Sequence, residues 1–118
     1  MQLEIQRSDL DSGVVLLTLS GPMTTTSQVQ KLEWSVEELA RSGQIRIVLD
    51  MSQISHLDSS AIGVLVGAHL LVKDAGGQLR LASVADRVRM VFKIAGVEAV
   101  LSVDRTTEDA VAALHLKA

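Results

Sequence analysis

The chain has 118 residues, 47% of them hydrophobic and 21% charged, enough to bury the core of one compact domain over residues 1–118 and too apolar for a disordered chain. It has no Cys, one Trp, one Phe and no Tyr, which excludes a disulfide framework or a Cys-based metal site and leaves little for stacking bases. Eleven Lys and Arg against fourteen Asp and Glu give a formal net charge of −3, against the basic stripe that a nucleic-acid binder needs.

Leu3 to Arg7 alternates apolar and polar residues and predicts a half-buried strand. Asp9 to Gly13 reads as a turn, and Val14 to Leu19 as a central strand paired antiparallel to the first. Gly21-Pro22 closes it, since Pro22 has no N–H for a ladder. A Thr-rich loop, Met23 to Ser27, follows, with Ser27 as a helix cap. Val29, Leu32, Val36, Leu39 and Ala40 then recur at helical spacing, and Ser42-Gly43 stops that helix. Trp34 falls off this stripe, either covering the helix edge or facing a partner.

Ile45 to Leu49 reads as a short strand and Asp50 to Leu57 as a loop. A second helix runs from Ser59 to about Ala75 with apolar residues on nearly all sides. Ile62, Leu65, Val66 and His69 make one stripe; Ala61, Val64, Ala68, Leu71 and Ala75 make another. A sheet takes one, and the second calls for deep burial or a docked partner. Gly76-Gly77 leads into a strand at Gln78 to Ala82. A third helix starts at Asp86, sets Val88, Val91, Phe92 and Ala95 on one face, and ends at Gly96. Val100 to Val103 reads as a last short strand. Thr106 or Thr107 caps a final helix whose Ala110, Val111 and Leu114 face inward. The fold class is therefore α/β: a mixed sheet of about five strands with packed helices, one antiparallel edge joining a largely parallel remainder.

No membrane insertion is expected. The longest uncharged stretch, Ser59 to Val72, has 14 residues and includes His69, too short for a bilayer. The opening Met1-Gln2-Leu3-Glu4 shows no signal-peptide pattern, and a cytoplasmic location is the expectation.

The most informative stretch runs from Leu49 to Gly63, with Asp58-Ser59-Ser60 at the mouth of the second helix. Free N–H groups in a first helical turn attract anions. A phosphate on Ser59 would lie within their reach and add about two negative charges. The same residues also read simply as a helix cap, and the two roles are compatible. Enzymatic readings are weaker. A serine nucleophile needs an oriented base and an oxyanion hole, and Gly-x-Ser-x-Gly is absent. His56, His69 and His115 have no zinc-site spacing, and no phosphate-loop or dinucleotide fingerprint is present. No metal or other cofactor is expected.

These residues resemble the STAS domain, the fold of bacterial anti-sigma factor antagonists and of sulfate-transporter tails. The resemblance runs from Leu3 to about Leu114. It is strongest at Ile47-Val48-Leu49-Asp50-Met51-Ser52 and at Leu57-Asp58-Ser59-Ser60-Ala61-Ile62-Gly63-Val64-Leu65. Gly76-Gly77-Gln78-Leu79, Val88 to Phe92 and Ile94 to Val97 add to it. It implies an antagonist without catalysis of its own, phosphorylated at Ser59 by an anti-sigma factor that is also a serine kinase. ATP and its magnesium ion would belong to that kinase. It also assigns partner contact or the phosphosite environment to Met23, Thr24, Thr25, Thr26, Asp58, Ser60, Ala61, Ile62, Gly63 and Val64.

The chain departs from the family pattern at Ala61, where Gly is usual, and in Gly21-Pro22-Met23-Thr24, where an acidic residue is common. The Ala61 methyl is expected to stand where a kinase approaches. A second reading is a STAS-type interaction module in another regulatory complex or a lipid-transport ATPase assembly. A monomer is the default, with a dimer through exposed apolar helix surface left open.

Overall fold

The structure, a computed structural model, describes residues 2–10, 12–24 and 26–116, without the side chains of Thr26, Ser27 and Leu116. In chain order the elements are β1 (Glu4–Asp9), β2 (Val15–Ser20), α1 (Thr26–Arg41), β3 (Arg46–Gln53), α2 (Ser59–Asp74), β4 (Gln78–Ala82), α3 (Asp86–Ala95), β5 (Val103–Asp104) and α4 (Thr107–Leu116). The sheet runs β1-β2-β3-β4-β5. Only β1 and β2 are antiparallel; β2 to β5 are parallel to one another. This is the predicted mixed sheet with one antiparallel edge. The accessible surface of 6438 Å² matches the roughly 6,000 Å² that chain length implies.

The two faces of the sheet are covered unequally. Alternate residues of β3 explain how: Ile47, Leu49 and Met51 join the main core, which α1, α2 and α3 help to build. Val48 faces the other way, into a smaller cluster with Val14, Ala82, and Ala110 and Leu114 of α4. A strand covered on both faces needs a continuous apolar run, and Ile47-Val48-Leu49 is fully buried.

The predicted inner stripe of α1 is buried at Val29, Leu32, Val36 and Leu39. The helix begins at Thr26, one residue before the expected Ser27 cap, whose side chain lies outside those described. Trp34 is 60% exposed, so it does not seal a helix edge. On α2 the two predicted stripes merge: Ala61, Ile62, Leu65, Ala68 and Val72 are buried together. The face left outside carries Gly63, Gly67, Leu70 and Leu71. On α3, Val88 and Phe92 are buried, whereas Ala95 is exposed. Thr106 caps α4, its Oγ1 accepting from the Asp109 N–H at 3.0 Å.

Two predicted boundaries are corrected. β3 continues through Asp50, Met51, Ser52 and Gln53, which had read as loop. Asp50 pairs with both Thr18 and Ala82, and Gln53 with Ser20. Pairing of Asp50 on both sides and of Gln53 with β2 holds this polar stretch in the sheet. Toward the C-terminus only Val103–Asp104 is strand, because the Val97 carbonyl accepts from Val100 and Leu101 N–H and turns the preceding residues. Arg80 fastens the short β5, donating from Nε and an Nη to both Asp104 oxygens at 2.6 and 3.2 Å.

Candidate functional site

The site forms where the loops after β2 and β3 meet at the N-terminus of α2. Met23 N–H donates to the His56 carbonyl (3.2 Å), and Asp58 N–H donates to the Met23 carbonyl (3.1 Å). Met23 also forms an isolated parallel bridge with Leu57. These bonds clamp the Thr-rich loop beside the residue that caps α2. Just before this loop, Gly21 lets the chain pass the N-terminal segment: at φ +100°, an added Cβ would stand 2.5 Å from the Gln2 carbonyl oxygen.

Asp58 is the cap, in extended backbone at φ −119° and ψ −172°. Its Oδ1 accepts from Ser60 N–H (2.9 Å), Ser60 Oγ–H (2.6 Å) and Ala61 N–H (3.2 Å). The bond from the Ser60 hydroxyl, with those from the backbone, holds the Asp58 carboxyl below its ordinary value. At neutral pH the helix mouth therefore carries a fixed negative charge.

Ser59 is the first residue of α2 and is exposed. Among the described residues its hydroxyl has no hydrogen-bond partner, and nothing orients His56 or another base toward it. His69 stands ten residues on, about 15 Å along the helix. The nucleophile reading finds no support in this geometry. The expected phosphate cradle is corrected in one respect. Ser60 and Ala61 N–H are already occupied by Asp58, so they are not free to receive a phosphate on Ser59.

The other expected site residues divide by burial. Thr24 and Gly63 are exposed, and Val64 and Ser60 half-buried. Met23 and Ala61 are fully buried, and Ile62 nearly so. These three lie beneath the site, as part of the phosphosite environment rather than as contact side chains. This burial corrects the expectation for Ala61, whose methyl turns into the core and away from any approaching protein. Thr25 lies outside the described residues, as does the Thr26 side chain. The pairing of His56 and Leu57 with Met23 was not foreseen from the sequence, because it leaves no local signal.

A profile of the STAS domain matches residues 6–110. The chain belongs to the STAS domain family. The anti-sigma-B factor antagonist of Bacillus subtilis (strain 168) is 24% identical over 111 residues, covering 94% of this chain and 97% of that one. Among solved structures, the unphosphorylated form of the anti-sigma factor antagonist SpoIIAA has a TM-score of 0.79 at 20% identity, covering 98% of this chain and 99% of that one. The phosphorylated form of the Bacillus cell fate determinant SpoIIAA has a TM-score of 0.70 at 20% identity, covering 92% and 96%. These likenesses show a shared fold. In this STAS domain, Gly21-Pro22-Met23-Thr24 brings no carboxylate to the helix mouth, leaving Asp58 to supply the acidic charge next to Ser59.

Proposed function

We propose that this STAS domain is an anti-sigma factor antagonist, controlled by phosphorylation of Ser59 by an anti-sigma factor that is also a serine kinase. One observation carries the reading: Ser59 is exposed and unengaged at the mouth of α2, beside a carboxylate held ionised by three hydrogen bonds. A phosphoryl group there adds about two charges and meets repulsion from Asp58. With the Ser60 and Ala61 N–H groups occupied, the phosphate projects outward, and a partner docking on this surface must desolvate it. The domain works by binding and needs no cofactor of its own. Relatives named anti-sigma factor antagonists, and the solved phosphorylated form of one with this fold, support the reading.

The test is incubation with the partner kinase and ATP, followed by mapping of the product by mass spectrometry. Modification at Ser59 is the expected result; a bare Ser59 in the presence of a demonstrably active kinase overturns the proposal. Calorimetry should find Ser59→Asp binding the partner at least about tenfold more weakly than the unmodified chain, a difference of about 1.4 kcal/mol. Ser59→Ala should bind like the unmodified chain. Equal affinity for all three forms removes the charge switch.

The uncharged Gly21-Pro22-Met23-Thr24 loop favours a second reading, a STAS module in a different assembly such as a lipid-transport ATPase. Recovery of transporter subunits with the chain from its own cells, without a kinase, would select it.

A further inference from the structure

At the end of the sheet opposite Ser59, where β3 and β4 begin and α2 finishes, lies a groove of about 580 Å³. That volume falls in the range of about 300–1,000 Å³ typical of small-molecule sites. We infer that this groove binds a small organic anion with an apolar body, held by Arg46 and Lys73 against Ile45 and Val100.

Three features of the lining point to this class of ligand. The first is charge. Arg46 and Lys73 line the groove, and among the described residues no Asp or Glu does, although the chain as a whole is acidic. The C-terminus of α2 would oppose an anion through its exposed carbonyls. Here three of those carbonyls are occupied: Leu71 and Val72 accept from Ala75 N–H, Val72 also from Gly77 N–H, and Lys73 from Gly76 N–H.

The second feature is unmet hydrogen bonding. His69 and Gln78 stand in the wall. His69 Nδ1 and Gln78 Oε1 each expose less than 1 Å² and have no hydrogen-bond partner. Leaving a buried polar atom unpaired costs about 1–3 kcal/mol. Both sit at the end of soft sp³–sp² torsions: His69 in its Nδ1–H tautomer donates to a ligand oxygen, and Gln78, whose Oε1 only accepts, meets an anion through its amide N–H once the carboxamide turns over.

The third is apolar surface. Ile45, Leu79, Val100 and Leu114 line the same groove. Val100 is 42% exposed, unlike its buried neighbours Leu79 and Leu114. Leu79 and Leu114 are already dry, so the accessible apolar surface is that of Ile45 and Val100, which an aryl or alkyl body covers and a bare carboxylate or phosphate does not.

The test is a titration of the isotope-labelled full chain, followed by NMR at the His69 imidazole and the Gln78 carboxamide. The probes are 3-phenylpropanoate, phenyl phosphate and the neutral 3-phenylpropan-1-ol. Saturable shifts at both side chains are expected, with a Kd of about 1 mM or tighter for at least one anion. The alcohol should bind at least about tenfold more weakly. The double variant Arg46→Ala/Lys73→Ala, with both changes at exposed positions, should weaken anion binding by a similar factor and leave alcohol binding unchanged. The tighter of the two anions tells a carboxylate ligand from a phosphate ester. The inference is overturned if neither anion saturates by about 10 mM, in the weak-affinity range, or if the alcohol binds equally well. Shifts confined to the Ser59 end of α2 also overturn it.

Discussion

Asp58 does two things with one oxygen: it closes the first turn of α2 and it places a charge beside Ser59. The two are separable by substitution. Asp58→Ala removes the acceptor of three hydrogen bonds and should cost about 1 kcal/mol, the usual worth of an N-cap. Asp58→Asn keeps an acceptor and removes the charge. Because the native carboxyl is held below its ordinary value of 3.8, its ionised form stabilises the fold fully above that value. The contribution shrinks as pH falls through the native value. Urea denaturation should therefore find Asp58→Asn less stable than the unmodified chain at pH 7, the gap closing once the solution is acid enough to protonate the native carboxyl. A gap that widens in acid would contradict the assignment. This corner was legible in the sequence because cap and hydroxyl are neighbours in the chain. The direction of the Ala61 methyl was not, since it depends on how α2 is rotated against the core. Nor was the burial of Met23, which follows from pairing with residues more than thirty positions away.

At the scale of elements, the glycines around α2 separate two uses of a missing side chain. At Gly77 an added Cβ would sit 2.0 Å from the Ile45 carbonyl oxygen. That oxygen accepts from Gln78 N–H at 2.8 Å, where β4 joins the sheet. Gly77→Ala must push two backbones apart, and a loss of about 1–3 kcal/mol is expected. At Gly63 the same Cβ meets nothing within 4 Å, and the residue lies inside a helix. Gly63→Ala should stabilise the chain by about 0.5–1 kcal/mol through backbone entropy. Paired urea melts check both, and shifts of the same sign would refute the contrast. Sequence periodicity placed α1 to α4 well because each carries an apolar stripe at helical spacing. It failed at the end of β3, where Asp50, Ser52 and Gln53 look like loop residues. Asp50 Oδ1 even accepts from Ser52 N–H as in a turn. What keeps this stretch extended is pairing of Asp50 with β2 and β4 and of Gln53 with β2, and pattern within one segment carries no trace of its neighbours.

For the whole molecule, the unequal covering of the sheet decides where it opens first. α1, α2 and α3 share one extended core with the inner face of the strands. Among the described residues α4 is the helix that covers the other face, anchored by Ala110 and Leu114 on Val14, Val48 and Ala82. Its Thr106 cap and acidic first turn hold the helix together but add nothing to its grip on the sheet. Local opening free energies follow the apolar contact that must be broken, so α4 should release before β3 or α2 does. Native-state hydrogen exchange should find its amides opening below the global unfolding free energy. Leu114, 1% exposed, is the larger anchor. Leu114→Ala should cost about 2–4 kcal/mol, with the loss of protection concentrated in α4 and in the strand residues beneath it. The α2 amides near Ser59 should keep theirs, because that helix is held from the opposite face. If α4 and β3 instead exchanged at one common free energy, the two faces would form a single cooperative unit despite their unequal cover.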